Sequence, residues 1–139
     1  MIWASIILSI LGVFDAAYLT AEHYLNNSVY CPVGANCETV LNSKYSVFLG
    51  LPISLFGLVF YFSLLILFLV FFHTEKKIIL KTAFTIALAG LLISIYFTYL
   101  QFFVLYAYCV YCLFSAANTA VIFFITARLL VFAKKQSII

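Results

Sequence analysis

Three long apolar runs dominate the chain, separated by polar segments. Ile2 to Ala21 carries one charge, Asp15, and Val47 to Phe72 carries none. A further charge-free run from Thr82 to Ala127 is long enough for two membrane spans and a turn. A hydrocarbon core of roughly 30 Å takes about 20 helical residues to cross. The pattern therefore predicts four transmembrane helices at about 2–22, 49–72, 81–101 and 109–131, in one domain covering 1–139. Lipid offers no partner to a free backbone N–H or C=O, so a span must be a helix or a strand of a closed barrel. No apolar–polar alternation supports barrel strands. The predicted class is an all-α membrane protein, a four-transmembrane-helix bundle. The first run reads as a retained span: no basic residue precedes Trp3, Asp15 interrupts it, and no small-x-small cleavage site precedes Glu22.

Composition strengthens this reading. Hydrophobic residues make up 68% of the 139 residues and charged ones only 8%, with a mean hydropathy of +1.25. Soluble domains carry about 25% charged residues. The net charge of +3 is small and scattered, which excludes a nucleic-acid surface. Six of the seven basic residues (Lys76, Lys77, Lys81, Arg128, Lys134 and Lys135) lie in the 2–3 loop or near the C-terminus; only Lys44 lies in the 1–2 loop. The positive-inside tendency then places both termini inside and the 1–2 loop outside the membrane.

That outer loop, from His23 to Ser46, is too long for a simple turn. Glu38 to Tyr45 is expected to form a short interfacial helix, with Val40, Leu41 and Tyr45 dipping into lipid. The four cysteines form two pairs on the same, oxidising side. Cys31 and Cys37 flank Pro32 and Gly34 in the loop, and Cys109-Val-Tyr-Cys112 opens the fourth helix. Two static disulfides would explain an even count. However, a disulfide spanning only two intervening residues gains little from loop closure. A cysteine at a helix N-terminus meets unpaired N–H groups that favour the thiolate, the reactive species in disulfide exchange. Two alternatives stay open: a non-enzymatic membrane scaffold whose loop is stapled by disulfides, and a metal-handling protein using all four thiolates.

Asp15 is costly inside a span and marks either a helix–helix hydrogen bond or a proton route or ligand contact; Asn118 lies at comparable depth in the fourth span. His23 and His73 sit near span ends, where interfacial roles suffice. Gly12, Gly57 and Gly90 suit close helix packing.

The segment Cys37-Glu-Thr-Val-Leu-Asn-Ser-Lys-Tyr-Ser-Val-Phe-Leu-Gly-Leu-Pro-Ile-Ser-Leu-Phe-Gly57, followed by Cys109-Val-Tyr-Cys112, resembles the vitamin K epoxide reductase family. Asp15-Ala-Ala-Tyr-Leu-Thr20 resembles its prokaryotic members. The resemblance implies that Cys109 and Cys112 form an active site beside a quinone of the menaquinone, ubiquinone or vitamin K type. It implies that Cys31 receives electrons from a thioredoxin-like (DsbA-like) protein in trans, and that Cys37 passes them to Cys109 while Cys112 faces the quinone. Ser43 matches a supporting hydroxyl of the family. The aromatic residues Phe48, Phe56, Tyr108, Tyr111 and Phe114 are candidates to pack the quinone ring, as Asp15 and Asn118 are for polar contact. No metal is implied. Ile53 and Ala116 stand where the animal epoxide reductases carry Asn and Tyr, so the resemblance points to thiol:quinone chemistry ahead of epoxide reduction. The chain ends without the fused thioredoxin-like domain of many bacterial members, so its partner is expected to be a separate protein.

Overall fold

A computed structural model describes residues 1–32 and 34–136. It contains four helices long and apolar enough to cross a membrane. They are α1 (Ile2–Leu25), α3 (Ile53–Thr74), α4 (Lys77–Tyr99) and α5 (Val110–Gln136), with a five-residue helix α2 (Cys37–Leu41) in the loop after α1. The protein is a multi-pass membrane protein. Each long helix packs against two others: α1 and α4 both touch α3 and α5, closing a four-helix ring. Large side chains such as Phe14, Leu92 and Phe124 point outward. So much exposed apolar surface is tolerable only where lipid covers it.

Local chemistry sets the helix ends. Asn26 closes α1 in the left-handed conformation (φ 52°). Its N–H reaches the His23 carbonyl and the Asn27 N–H reaches Glu22, so orphan carbonyls at the helix end are satisfied. The second span begins at Ile53, later than the expected 49. Residues 47–52 instead fold into a small hairpin, β1 (Val47–Phe48) against β2 (Leu51–Pro52), with Val47 opposite Pro52 and Phe48 opposite Leu51. Leu49 and Gly50 both take positive φ at its tip (53° and 80°), the backbone of a two-residue hairpin turn. Pro52, extended at ψ 141°, serves as the N-cap of α3. Apolarity alone cannot distinguish a short hydrophobic hairpin from a helix start. The third span begins four residues earlier than expected because Lys77 and Lys81 join its first turns, where long basic side chains can reach the polar boundary. It also runs on through a π-helical turn, Leu100–Val104. The fourth extends to Gln136, with Lys134 and Lys135 complementing the negative helix end.

Helix α2 is shorter than the expected 38–45 segment. Val40 is buried and Leu41 packs beside it against the cysteines, facing protein where the sequence suggested lipid. The reason is tertiary: the loop folds down over the start of α5.

The bundle core joins Ile6 and Ala16 of α1, Tyr61, Leu64 and Phe68 of α3, Ala83 and Ala87 of α4, and Ile122 of α5. The buried hydroxyls of Ser9, Thr20 and Thr126 donate to carbonyls of their own helices at 2.7–2.8 Å, whereas the buried Ser5 hydroxyl has no partner among the described residues. Tyr61 crosses the bundle to α5, where its hydroxyl meets the Ser115 carbonyl and hydroxyl and the Thr119 hydroxyl at 2.8–2.9 Å. Its ring lies so close to Gly12 that a Cβ there would collide with it, as one at Gly90 would with Phe60. A Cβ at Gly57 would meet only the Ala16 methyl, at 3.8 Å. Gly12→Val should therefore destabilise the bundle by about 1–3 kcal/mol through overpacking, whereas Gly57→Ala should not. Thermal unfolding of both variants in detergent checks this, and equal melting would remove the close-packing role of Gly12.

Candidate functional site

The start of α5 is built around Cys109. Its carbonyl accepts the first intrahelical bond, from Leu113 N–H at 3.0 Å, which makes Cys109 the N-cap residue with Tyr111 and Cys112 at the second and third helical positions. A side chain at an N-cap is placed to accept the N–H groups of those two residues. Here the acceptor is sulfur. Cys109 precedes the membrane-spanning segment, and its thiol is pulled down from 9.0 to about 7. The largest cause is hydrogen bonding from the Cys112 thiol; the backbone N–H groups of Cys112 and Tyr111 add to it, and burial opposes it. The thiolate is therefore favoured at Cys109 much nearer neutral pH than at an ordinary thiol. Cys109 and Cys112 are free thiols.

The outer loop docks on this helix start at two points. The Asn36 N–H, just before Cys37, donates to the Tyr108 carbonyl, just before Cys109, at 3.1 Å. The Tyr111 hydroxyl donates to the carbonyl of Tyr30, just before Cys31, at 2.8 Å. Each loop cysteine is thus tied to the helix pair through its preceding residue. Between them the chain turns with the Ala35 N–H on the Pro32 carbonyl at 3.1 Å and Gly34 at φ 95°. Cys31 and Cys37 are joined as a disulfide, their Cα atoms 6.1 Å apart. Cys37 and Cys109 are both fully buried, in one cluster with Val40 and Ala107, and Cys31, Cys112 and Tyr111 pack against it. The structure brings all four cysteines together.

The remaining candidates distribute unevenly. The Ser43 hydroxyl donates to the Val40 carbonyl at 2.8 Å, holding the end of α2 beside the cluster. Tyr111 also leans on Tyr18, with ring centroids 5.5 Å apart. Tyr108 stacks on Phe102. Phe48 and Phe56 pair edge to face at the outer hairpin, and Phe114 faces outward. Asn118 donates from Nδ2 to the Leu8 carbonyl at 2.9 Å, linking α5 to α1. Its Oδ1 and the Asp15 Oδ2 are buried without a hydrogen-bond partner among the described residues. Beside α5, an apolar groove of about 370 Å³ is lined by Tyr99, Phe102, Phe103, Ala116 and Ala120 among others.

Two polar residues of the bundle escaped the sequence reading. Gln101 accepts the Cys109 N–H on its side-chain oxygen at 2.9 Å. Its signal is faint: one of two side-chain amides in a long charge-free run, eight residues before Cys109. Tyr61 is the only tyrosine of α3 and was masked by the aromatic residues around it.

The sequence profile described as the vitamin K epoxide reductase family matches residues 3–127. Over 48 residues, 34% of this chain, the sequence is 42% identical to the thiol-disulfide oxidoreductase LTO1 of Arabidopsis thaliana. The matched stretch spans 13% of that relative's length.

Proposed function

The chain belongs to the vitamin K epoxide reductase family, and on that footing we propose that it is a membrane thiol:quinone oxidoreductase supporting disulfide bond formation. The observation that carries this reading is the pairing of states within one cluster: the loop pair is a disulfide while the helix pair holds two thiols. One internal exchange would leave this distribution. The Cys37 thiolate attacks Cys109 of a Cys109–Cys112 disulfide, and Cys112 leaves and takes up a proton. The Cys31 thiolate then attacks Cys37 and releases Cys109, leaving Cys31–Cys37 closed. Two electrons move from loop to helix, and no outside oxidant is needed for the step.

Cys31, half-buried at the loop surface, is the entry point for a thioredoxin-like protein in trans. A bound quinone would supply the sink for the two electrons and two protons that Cys109 and Cys112 release as they close to a disulfide. The groove beside α5 has the size of a small-molecule site, but none of Cys109, Cys112, Asp15 and Asn118 lines it. The Asp15 and Asn118 oxygens, buried without a hydrogen-bond partner among the described residues, suit the polar end of a quinone or quinol inside the bundle. We assign Asp15 to proton handling in this relay. The six-to-one split of basic residues supports an orientation with the cysteines outside and both termini in the cytoplasm. The scaffold and metal alternatives are less well supported. A double staple leaves the free helix thiols without a purpose, and a disulfide removes two of the four thiolates a metal would need.

Oriented vesicles test activity and sidedness together. A membrane-impermeant dithiol should drive quinone reduction in right-side-out vesicles and not in inverted ones. Equal rates would refute the sidedness; no reduction in either would refute the activity.

A further inference from the structure

We propose that Gln101 is a positioning residue for the thiol relay: by holding the Cys109 N–H, its side-chain oxygen keeps the Cys109 sulfur at the capping position of α5 whatever that sulfur is bonded to. The N–H of an N-cap residue has no partner in its own helix. In a capping box it is taken by a Glu or Gln at the third helical position. Here that position is Cys112, whose side chain is committed to redox chemistry. The acceptor comes instead from the helix before: Gln101 Oε1 receives the Cys109 N–H at 2.9 Å.

The surrounding backbone makes the anchor rigid. Gln101 is buried within the π-helical turn, where Leu105 N–H bonds the Leu100 carbonyl at 2.9 Å. The Gln101 carbonyl takes the Ala107 N–H at 3.1 Å, and the Tyr108 carbonyl takes the Asn36 N–H from the loop. Ala107, Tyr108 and Cys109 are thus each held by a hydrogen bond that uses no sulfur. This separation matters for a relay. The Cys109 sulfur must exist in turn as a thiolate, as a partner of Cys112 and as a partner of Cys37, and its thiolate form depends on reaching the N–H groups of Tyr111 and Cys112. An anchor independent of sulfur returns it to the same place after each exchange. π-Helical turns recur at functional sites; here the turn carries the anchor.

The test uses the full chain with Cys31 and Cys37 replaced by serine, so that only the helix pair reacts. Gln101→Met keeps the length and apolar stem of the side chain but loses the oxygen. The pH midpoint for alkylation of Cys109, read by mass spectrometry, should rise by about one unit from its value near 7, an about fivefold smaller thiolate fraction at pH 7. A residue that merely supports the fold would lower the melting temperature and leave that midpoint in place. An unchanged midpoint in folded Gln101→Met overturns the proposal. Should the variant not fold, amide exchange at Cys109 in the unsubstituted protein decides. Protection in both the dithiol and the disulfide forms supports the anchor, and loss of protection on disulfide formation overturns it. The inference rests on Cys109 being the relay cysteine proposed above. Both readouts need neither quinone nor partner, so a failed anchor and a failed quinone activity remain distinguishable.

Discussion

Cys112→Ala should abolish quinone reduction with every thiol donor and leave the outer loop covalently joined to α5. Exchange proceeds through mixed disulfides, and each is normally resolved by the thiolate left free in the pair. With Cys112 gone, Cys109 can still attack Cys37 of the loop disulfide, but it has no neighbour to release it. Only Cys31 can reverse the reaction. The two sulfurs concerned belong to the fully buried residues of one cluster, and the loop is already docked through Asn36 and Tyr111. Replacing Cys31 as well and adding a mild thiol oxidant such as diamide should drive the link to completion. A protease site after Glu75 separates Cys37 and Cys109 into different fragments. Without reductant the fragments should stay joined, and a dithiol should part them. Fragments that part without reductant would rule out transfer between Cys37 and Cys109. The rate carries a pH signature, because the attacking group is the Cys109 thiolate. The main cause that lowers the Cys109 thiol is the Cys112 thiol, which this variant lacks, so the Cys109 midpoint should rise. Linking in Cys112→Ala should slow about tenfold per pH unit once the pH is well below that raised midpoint.

Cys31→Ala should separate the two kinds of donor. A thioredoxin-like protein is too bulky to reach Cys109 beneath the loop, so without Cys31 its transfer to quinone should fall by about a hundredfold or more. The same substitution removes the Cys31–Cys37 disulfide that closes the loop. A small dithiol should then slip past the loosened segment to the helix pair, and its rate should stay within about twofold of the unsubstituted protein. Parallel assays with a reduced thioredoxin-like protein and with dithiothreitol check the split. Equal losses with both donors would mean that Cys31 is not the entry point.

Much of this arrangement was legible in the residues, and the gaps have physical causes. Three long apolar runs, one of them long enough for two spans, define four helices, because lipid leaves a backbone few alternatives. The spacing of Cys109 and Cys112 at a helix start announces a reactive thiol. The hairpin at 47–52 was hidden because its residues are as apolar as a helix start, and only Gly50 and Pro52 mark it. The fate of Val40 and Leu41 was misjudged because an amphipathic segment does not say whether lipid or protein will cover it. Gln101 was invisible for a different reason: its value lies in an N–H eight residues away, brought to it by a π-helical turn that no periodicity predicts. Asn118 shows the intermediate case, a polar residue in a span whose partner, the Leu8 carbonyl, no pattern could name.

The central claim is that electrons leave the protein through Cys109 and Cys112 to a quinone. The most direct measurement mixes the fully reduced, purified chain with excess short-chain quinone in detergent and counts the remaining thiols, assigned by mass spectrometry. The account predicts that all four thiols are lost, one quinol appearing for each two, and that Cys112→Ala loses none to the quinone. Persistence of the Cys109 and Cys112 thiols beside unreduced quinone would contradict it.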